Sequence, residues 1–442
     1  MLFSNKDLRK IIIPIIIENF LSVTVGMADT LMVSNVGEAA VSAVSLVDSI
    51  NVVIVCMFTA LTTGGSVVTS QYLGKKDEEM ARFSSKQLIL SSFSLATIIA
   101  VIVVFLKGGI LNLIFGHVEV SILEFAKTYF LVTALSYPFL ALFNSTSAIF
   151  RAMGKSSISL LCGFTMNIVN IGLNAVFIFG MNMGVFGAAL ATLIGRATAA
   201  IIGIVMLKNR NNILYVDSYL DMKPDMEIIK KILKIGVPSG IENSAFQFGK
   251  LLVQRIVTSF GSASIVAYAI TNSVGQIQVI SSAALGISML PIVGRCIGAD
   301  EYEQAKYYVK RLMIDCYIIM FVLGVATLLA LPFVISLYNV SLEAKELATT
   351  CIKIHVIVAM IIHPFAFSFS NVLRAAGDAR YPLVVSAISM FTFRVGFGYL
   401  FGTILGFGLV GIYIGNVFDW FCRATSFIAR YCSGKWMNRK IV

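Results

Sequence analysis

Charge is scarce in this chain. Asp, Glu, Lys and Arg make up 13% of it, about half the ~25% usual in a soluble domain. Histidine occurs three times and tryptophan twice. The seven cysteines (Cys56, Cys162, Cys296, Cys316, Cys351, Cys422 and Cys432) form no CxxC pair and sit mostly in apolar runs, so they read as packing residues. His117, His355 and His363 make no ligand cluster; the last two stand eight residues apart on one helix and read as structural. No GxxxxGK[ST] sequence is present, which excludes a P-loop pump driven by nucleotide hydrolysis. What the chain has in quantity is hydrocarbon. Of its 442 residues 58% are hydrophobic and the mean hydropathy is +0.88, too apolar for a soluble globular protein.

The apolar stretches run for about 18 to 30 residues without the alternation of outer-membrane strands, so they predict spanning helices that satisfy their own backbone groups. Twelve are expected, over 10–33, 39–70, 86–107, 119–150, 156–180, 184–207, 231–259, 262–297, 308–337, 343–373, 381–405 and 408–430. The opening "MLFSNKDLRKIIIPIIIENF" has the basic-then-apolar look of a signal peptide. No small-residue cleavage site follows and the apolar run continues beyond Asp29, so it reads as the first span.

A net charge of +11 raises nucleic acid as a partner, and the placement of the charge decides against it. Of 34 Lys and Arg, 25 fall in the N-terminus, the even-numbered loops and the C-terminus. Only Lys107, Lys127, Lys345 and Lys353 lie toward the opposite side, and Arg196, Lys250, Arg255, Arg394 and Arg423 lie within spans. This positive-inside bias predicts a multi-pass cell-membrane protein with both termini in the cytoplasm, its surroundings a lipid bilayer and no nucleic acid among its partners.

"PIIIEN" (14–19) and "PSGIEN" (238–243) set the same proline, glutamate and asparagine 224 residues apart. At that offset Gly37 pairs with Gly261, Ala43 with Ala267, Gly74 with Gly298 and Glu79 with Glu303. The register slips by one at "FRAMG" (150–154) and "LRAAG" (373–377), then returns for Gly187 and Gly411. Two homologous halves of six spans are implied: an N-lobe over 1–207, a cytoplasmic linker over 208–230 and a C-lobe over 231–442. Because six is even, the halves run parallel about a pseudo-two-fold axis along the membrane normal. Asp217 and Asp221 form a DxxxD in the linker, but no second aspartate-rich motif accompanies it, as prenyl transfer would require, and it reads as solvated loop. With no convergent His, Asp or Cys set, the chain reads as no enzyme. Parallel halves fit a transporter that binds cargo at their interface and draws its energy from an ion gradient.

Glu18, Asp29, Asp48, Glu242 and Asp419 fall within spans, each costing about 2.5–3.5 kcal/mol at mid-bilayer. Glu18 and Asp29, eleven residues apart, return to nearly the same helix face and share a polar stripe with Ser22 that should face the lobe interior. Asn170, Asn174 and Thr192 add amide and hydroxyl groups; with a carboxylate they suit a proton or a sodium ion. Interhelical hydrogen bonding is the competing role. The second half lacks this set, for the repeat-mate of Asp29 is Val253. Lys250, one turn away with Gln247 and Gln254, either pairs with Glu242 or a carbonyl, or faces a central cleft as a moving counter-charge. Tyr137, Phe139, Phe143, Tyr268, Phe365 and Phe367 are expected to line a soft cleft for flat organic cations.

"MADTLMVSNVG" (27–37), "SQYLGKKDEEMAR" (70–82) with its mate "GRCIGADEYEQAK" (294–306), "FRAMGK" (150–155), "NIVNIGLNAVFIFG" (167–180) and "VLRAAGDARYPLVVS" (372–386) together resemble the multidrug and toxic compound extrusion (MATE) transporters, over essentially the whole chain. The resemblance implies an all-α integral membrane protein with two six-helix lobes in a V. It implies export of small organic cations in exchange for protons or sodium, with no cofactor beyond that ion; a monomer is expected. Asp29 matches the acid of the family's first span, its central coupling group, and Asn170 and Thr192 match polar members of the same site. The chain departs at Asn174, where the fifth span often carries an aspartate, so proton and sodium both stay open. It departs again at Phe246, where the sodium-type branch has an acid on the seventh span. Glu18, Asp48, Glu242 and Lys250 stand as auxiliary candidates. The alternative within the superfamily is a lipid-linked oligosaccharide flippase, whose cavity wants several cations for pyrophosphate; Lys250 and Arg255 keep it open.

Overall fold

The computed structural model of the chain describes residues 1–116, 119–219 and 222–442. His117 and Asp221 lie outside the described residues. The chain forms two sets of six long helical segments. The first comprises α1 (Asn5–Ser34), α2 (Glu38–Gly74), α3 (Glu78–Phe115), α4 (Val120–Leu135 and Tyr137–Ala152, bent by 43°), α5 (Ser156–Gly180) and α6 (Gly184–Leu207). The second comprises α7 (Met226–Thr258), α8 (Ser262–Gly298), α9 (Tyr302–Ser336), α10 (Leu342–Ala375), α11 (Arg380–Ile404) and α12 (Gly408–Cys432). Among the described residues nine are long and apolar enough to cross a membrane, ten with the bent α4. The other two, α7 and α12, are diluted by Glu242, Lys250 and Arg255 and by Asp419 and Arg423. Several helices outrun their apolar stretches, α3 starting at Glu78 and α9 at Tyr302.

Local chemistry sets the ends. Ser4 and Asp7 form a reciprocal capping box at the start of α1, with each side chain accepting from the other's backbone N–H. Asp77 caps α3 by accepting from the Met80 amide at 3.0 Å. The turns repeat at the spacing the sequence shows. Left-handed backbone occurs at Lys76 and Asp300 (φ 62 and 59), at Asn182 and Gly406 (54 and 75), and at Gly184 and Gly408 (55 and 55). A π-helical turn closes α5 at Ala175–Gly180, and its counterpart closes α11 at Leu400–Ile404.

Two compact units result, Phe3–Val237 and Pro238–Val442, the latter joined by Met1–Leu2. The division falls inside α7, whose first turns pack on α2. Gly64 and Gly236 permit that approach. A Cβ on Gly236 would stand 2.9 Å from the Ala60 carbonyl oxygen, and one on Gly64 would collide with the Ile232 carbonyl. The core of the first unit gathers Val47, Phe58, Phe130, Tyr137 and Ala188, and that of the second gathers Val253, Val257, Ile352, Leu409 and Tyr413.

Candidate functional site

Asp29 sits in the last turns of α1, facing α5 and α6. The Asn174 amide, next to the π-helical turn, donates to Asp29 Oδ1 at 2.7 Å. The neighbouring Asn170 amide is oriented by its surroundings. Only with its nitrogen toward Asp29 are both ends satisfied: the nitrogen lies 2.8 Å from Oδ1 and 3.2 Å from Oδ2, and the oxygen accepts from Thr192 Oγ1 at 3.2 Å. The spacing of four along α5 puts the two asparagines on one helix face, and Gly195 on α6 lets α5 close in, since a Cβ there would stand 3.0 Å from the Met166 carbonyl oxygen. The structure thus brings together Asp29, Asn170, Asn174 and Thr192. Asn174 Oδ1 is buried without a hydrogen-bond partner among the described residues.

The carboxylate opens on a cavity of ≈ 130 Å³. Its wall includes Asp29, Thr30, Ser45, Asp48, Tyr129, Asn174 and Thr192. Asp48, from α2, accepts from the Asn51 amide at 3.1 Å and, at 3.5 Å, from the Tyr129 hydroxyl. Tyr137 extends this network by donating to Asn51 Oδ1 at 2.6 Å. Arg196, whose guanidinium donates to Ser136 Oγ at 2.7 Å, is a cation whose field reaches both carboxylates. Sequence reasoning found Asp48, placed Arg196 within a span without assigning it a role, and missed Asn51 and Tyr129, because a polar group's partner on another helix leaves no local signal.

Glu18 lies elsewhere on α1. It pairs with Arg151 at 3.4 Å and accepts from Ser159 Oγ at 2.9 Å. Glu242 repeats the arrangement, with Arg374 at 2.6 Å and Ser386 Oγ at 2.8 Å. The two arginines are those of "FRAMG" and "LRAAG", so the repeated acid and the repeated base of each half are each other's partners. Glu242 is therefore not the counter-charge of Lys250. Ser22, expected on the polar stripe, is exposed and donates to the Glu18 carbonyl of its own helix.

In the second unit the place of Asp29 is taken by Val253, 1% exposed in the core. The buried charge here is a triad. Asp419 accepts from Arg423 Nε at 2.8 Å and Ser389 Oγ at 2.6 Å through Oδ1, and from Arg394 Nε at 2.9 Å through Oδ2. The Phe246 ring lies beside it, 5.7 Å from Phe367, which stacks on His363 at 4.4 Å. The six aromatic residues singled out above are divided three to each unit. Tyr137 has no exposed surface and Phe143 is packed in the core, with Phe139 half-buried. Tyr268 packs on Tyr413 at 6.3 Å and Phe365 on Tyr317 at 5.7 Å.

The MatE family model matches the chain twice, over residues 14–176 and 238–400. An uncharacterized transporter, YisQ of Bacillus subtilis (strain 168), is 28% identical over 434 residues, 96% of this chain and 94% of its own. A probable multidrug resistance protein, NorM of Thermotoga maritima, is 25% identical over 446 residues, 99% of this chain and 94% of its own. Among solved structures, the outward-facing conformation of a MATE family transporter of the MOP superfamily shares the fold, with a TM-score of 0.91 at 20% identity across 98% of this chain and 97% of that one.

Proposed function

The chain belongs to the MatE family of transporters, and on that footing we propose that it exports small organic cations across the cell membrane in exchange for a proton or a sodium ion held at Asp29. The observation that carries the reading is the convergence of three helices on one carboxylate beside a cavity of ≈ 130 Å³, with a buried amide oxygen, Asn174 Oδ1, left as an unused acceptor. An acid at membrane depth persists when a cation offsets its charge, and a second acid on the same wall, Asp48, strengthens the pull. The relatives named as multidrug resistance proteins support the cargo class. Positive-inside charge supports cytoplasmic termini.

The exchange follows from linkage. A cation at Asp29 and a cationic drug compete for one negative field, so each lowers the other's affinity by the same factor, typically 5- to 150-fold for a coupling of 1–3 kcal/mol. Ethidium counterflow in proteoliposomes, with pH and sodium gradients varied independently, checks this. Flux is expected to follow one of the two gradients. Flux indifferent to both would end the antiport reading and favour the flippase alternative.

A further inference from the structure

Three cations face one aromatic ring in the second unit. Lys250 Nζ lies 5.2 Å from the centroid of Phe246, the Arg394 guanidinium carbon 5.0 Å and that of Arg423 5.4 Å. One acid, Asp419, serves two of them, and it is saturated by both arginines and Ser389. The nearest other acid on α7, Glu242, is committed to Arg374 and Ser386. The cluster therefore carries two positive charges in excess, each costing about 2.5–3.5 kcal/mol at membrane depth unless offset.

Both Lys250 and Arg394 have donors left over beside that ring. Lys250 makes no hydrogen bond or ion pair among the described residues, and it is exposed. Arg394 spends only its Nε on Asp419, leaving both Nη groups without a hydrogen bond among the described residues. That arginine stands on a π-helical stretch, Met390–Phe397, an irregularity that costs hydrogen-bond geometry and marks functional positions. Phe246 lies beside these donors and meets Phe367 edge-on, with ring centroids 5.7 Å apart.

We propose that this unit holds an organic-anion site, in which Lys250 and the free guanidinium edge of Arg394 bind a carboxylate or phosphate while Phe246 and Phe367 contact an apolar body attached to it. A guanidinium edge can bind an oxyanion through two parallel hydrogen bonds and an ammonium adds a point charge, and a bound anion offsets the excess charge. The site is opposite in sign to the Asp29 cavity and stands without the cation-export reading, since none of its residues contributes to that cavity.

The test uses the full-length protein in nanodiscs of phosphatidylcholine, with radiolabelled 2-naphthoate as the free anion and 2-naphthyltrimethylammonium as its cationic counterpart. Saturable naphthoate binding is expected in the wild type, weaker by at least tenfold in Lys250→Met and retained in Lys250→Arg, with cation binding unchanged in both. Equal elution profiles and unfolding temperatures establish that the variants fold. Discs containing phosphatidate test the second source of the same chemistry. If naphthoate fails to bind but the wild type retains phosphatidate through delipidation and Lys250→Met loses it, the site stands with a lipid head group as occupant. Retention of neither anion by the wild type, or undiminished retention by Lys250→Met, overturns the proposal.

Discussion

Asp29 and Asp48 look on the same cavity but are held to different degrees. Two amides hydrogen-bond Asp29, at 2.7 and 2.8 Å, whereas Asp48 has one amide at 3.1 Å and a hydroxyl at 3.5 Å. Asp29→Asn is predicted to lower gradient-driven ethidium efflux at least tenfold without lowering the unfolding temperature, because neutralising an acid at membrane depth saves about 2.5–3.5 kcal/mol. Efflux assays paired with thermal unfolding in detergent check both halves. Thr192→Val removes the hydroxyl that fixes the Asn170 amide. The loss of one hydrogen bond, ~0.5–1.5 kcal/mol, is expected to weaken cation affinity about two- to tenfold, as read by sodium or proton titration. Asp29, Asn170, Asn174 and Thr192 were legible in the sequence because polar residues at bilayer depth stand out singly. Asn51 and Tyr129 were not, and Arg196 stood out only as a charge within a span, because their roles depend on which helices meet.

At the scale of helices, the repeated Glu–Arg pairs tie the first segment of each half to its fourth. The two copies differ in tightness. Glu242 and Arg374 approach to 2.6 Å with side chains 7% and 11% exposed, against 3.4 Å with 14% and 17% for Glu18 and Arg151. Breaking a well-buried pair costs about 3–5 kcal/mol, so Glu242→Gln is predicted to destabilise by that amount and Glu18→Gln by less, measured as unfolding free energies in detergent. Equal losses would contradict the ranking. Gly64→Ala is predicted to loosen the packing of α7 on α2, since its Cβ meets the Ile232 carbonyl, and to lower the unfolding temperature by several degrees, ~1–3 kcal/mol of overpacking. The recurrence of "PIIIEN" and "PSGIEN" was legible, but not its meaning. The partner bases lay in a second repeated motif more than 130 residues away, and no periodicity joins them.

For the molecule as a whole, duplication is written into the backbone and then contradicted by the charges. The family model begins at residue 14 and again at residue 238, the same 224-residue interval that relates the left-handed turns at Lys76 and Asp300. Yet one unit keeps an acid where the other has Val253, and the second unit gathers Lys250, Arg394 and Arg423 about Phe246. A backbone can be copied while its two halves gather charge of opposite sign, because main-chain geometry depends on turns and small residues, and sign depends on a few side chains. The fold was legible from hydropathy, charge bias and repeat; the polarity of the second unit was not, since Arg394, Arg423 and Asp419 are scattered over two helices. The account turns on the exchange of a cation at Asp29 for the drug, and the displaced cation can be counted. Ethidium added to the purified transporter in weakly buffered solution, or to protein loaded with radioactive sodium, should release about one proton or sodium ion per molecule, and none from Asp29→Asn. Equal release from that variant would contradict it.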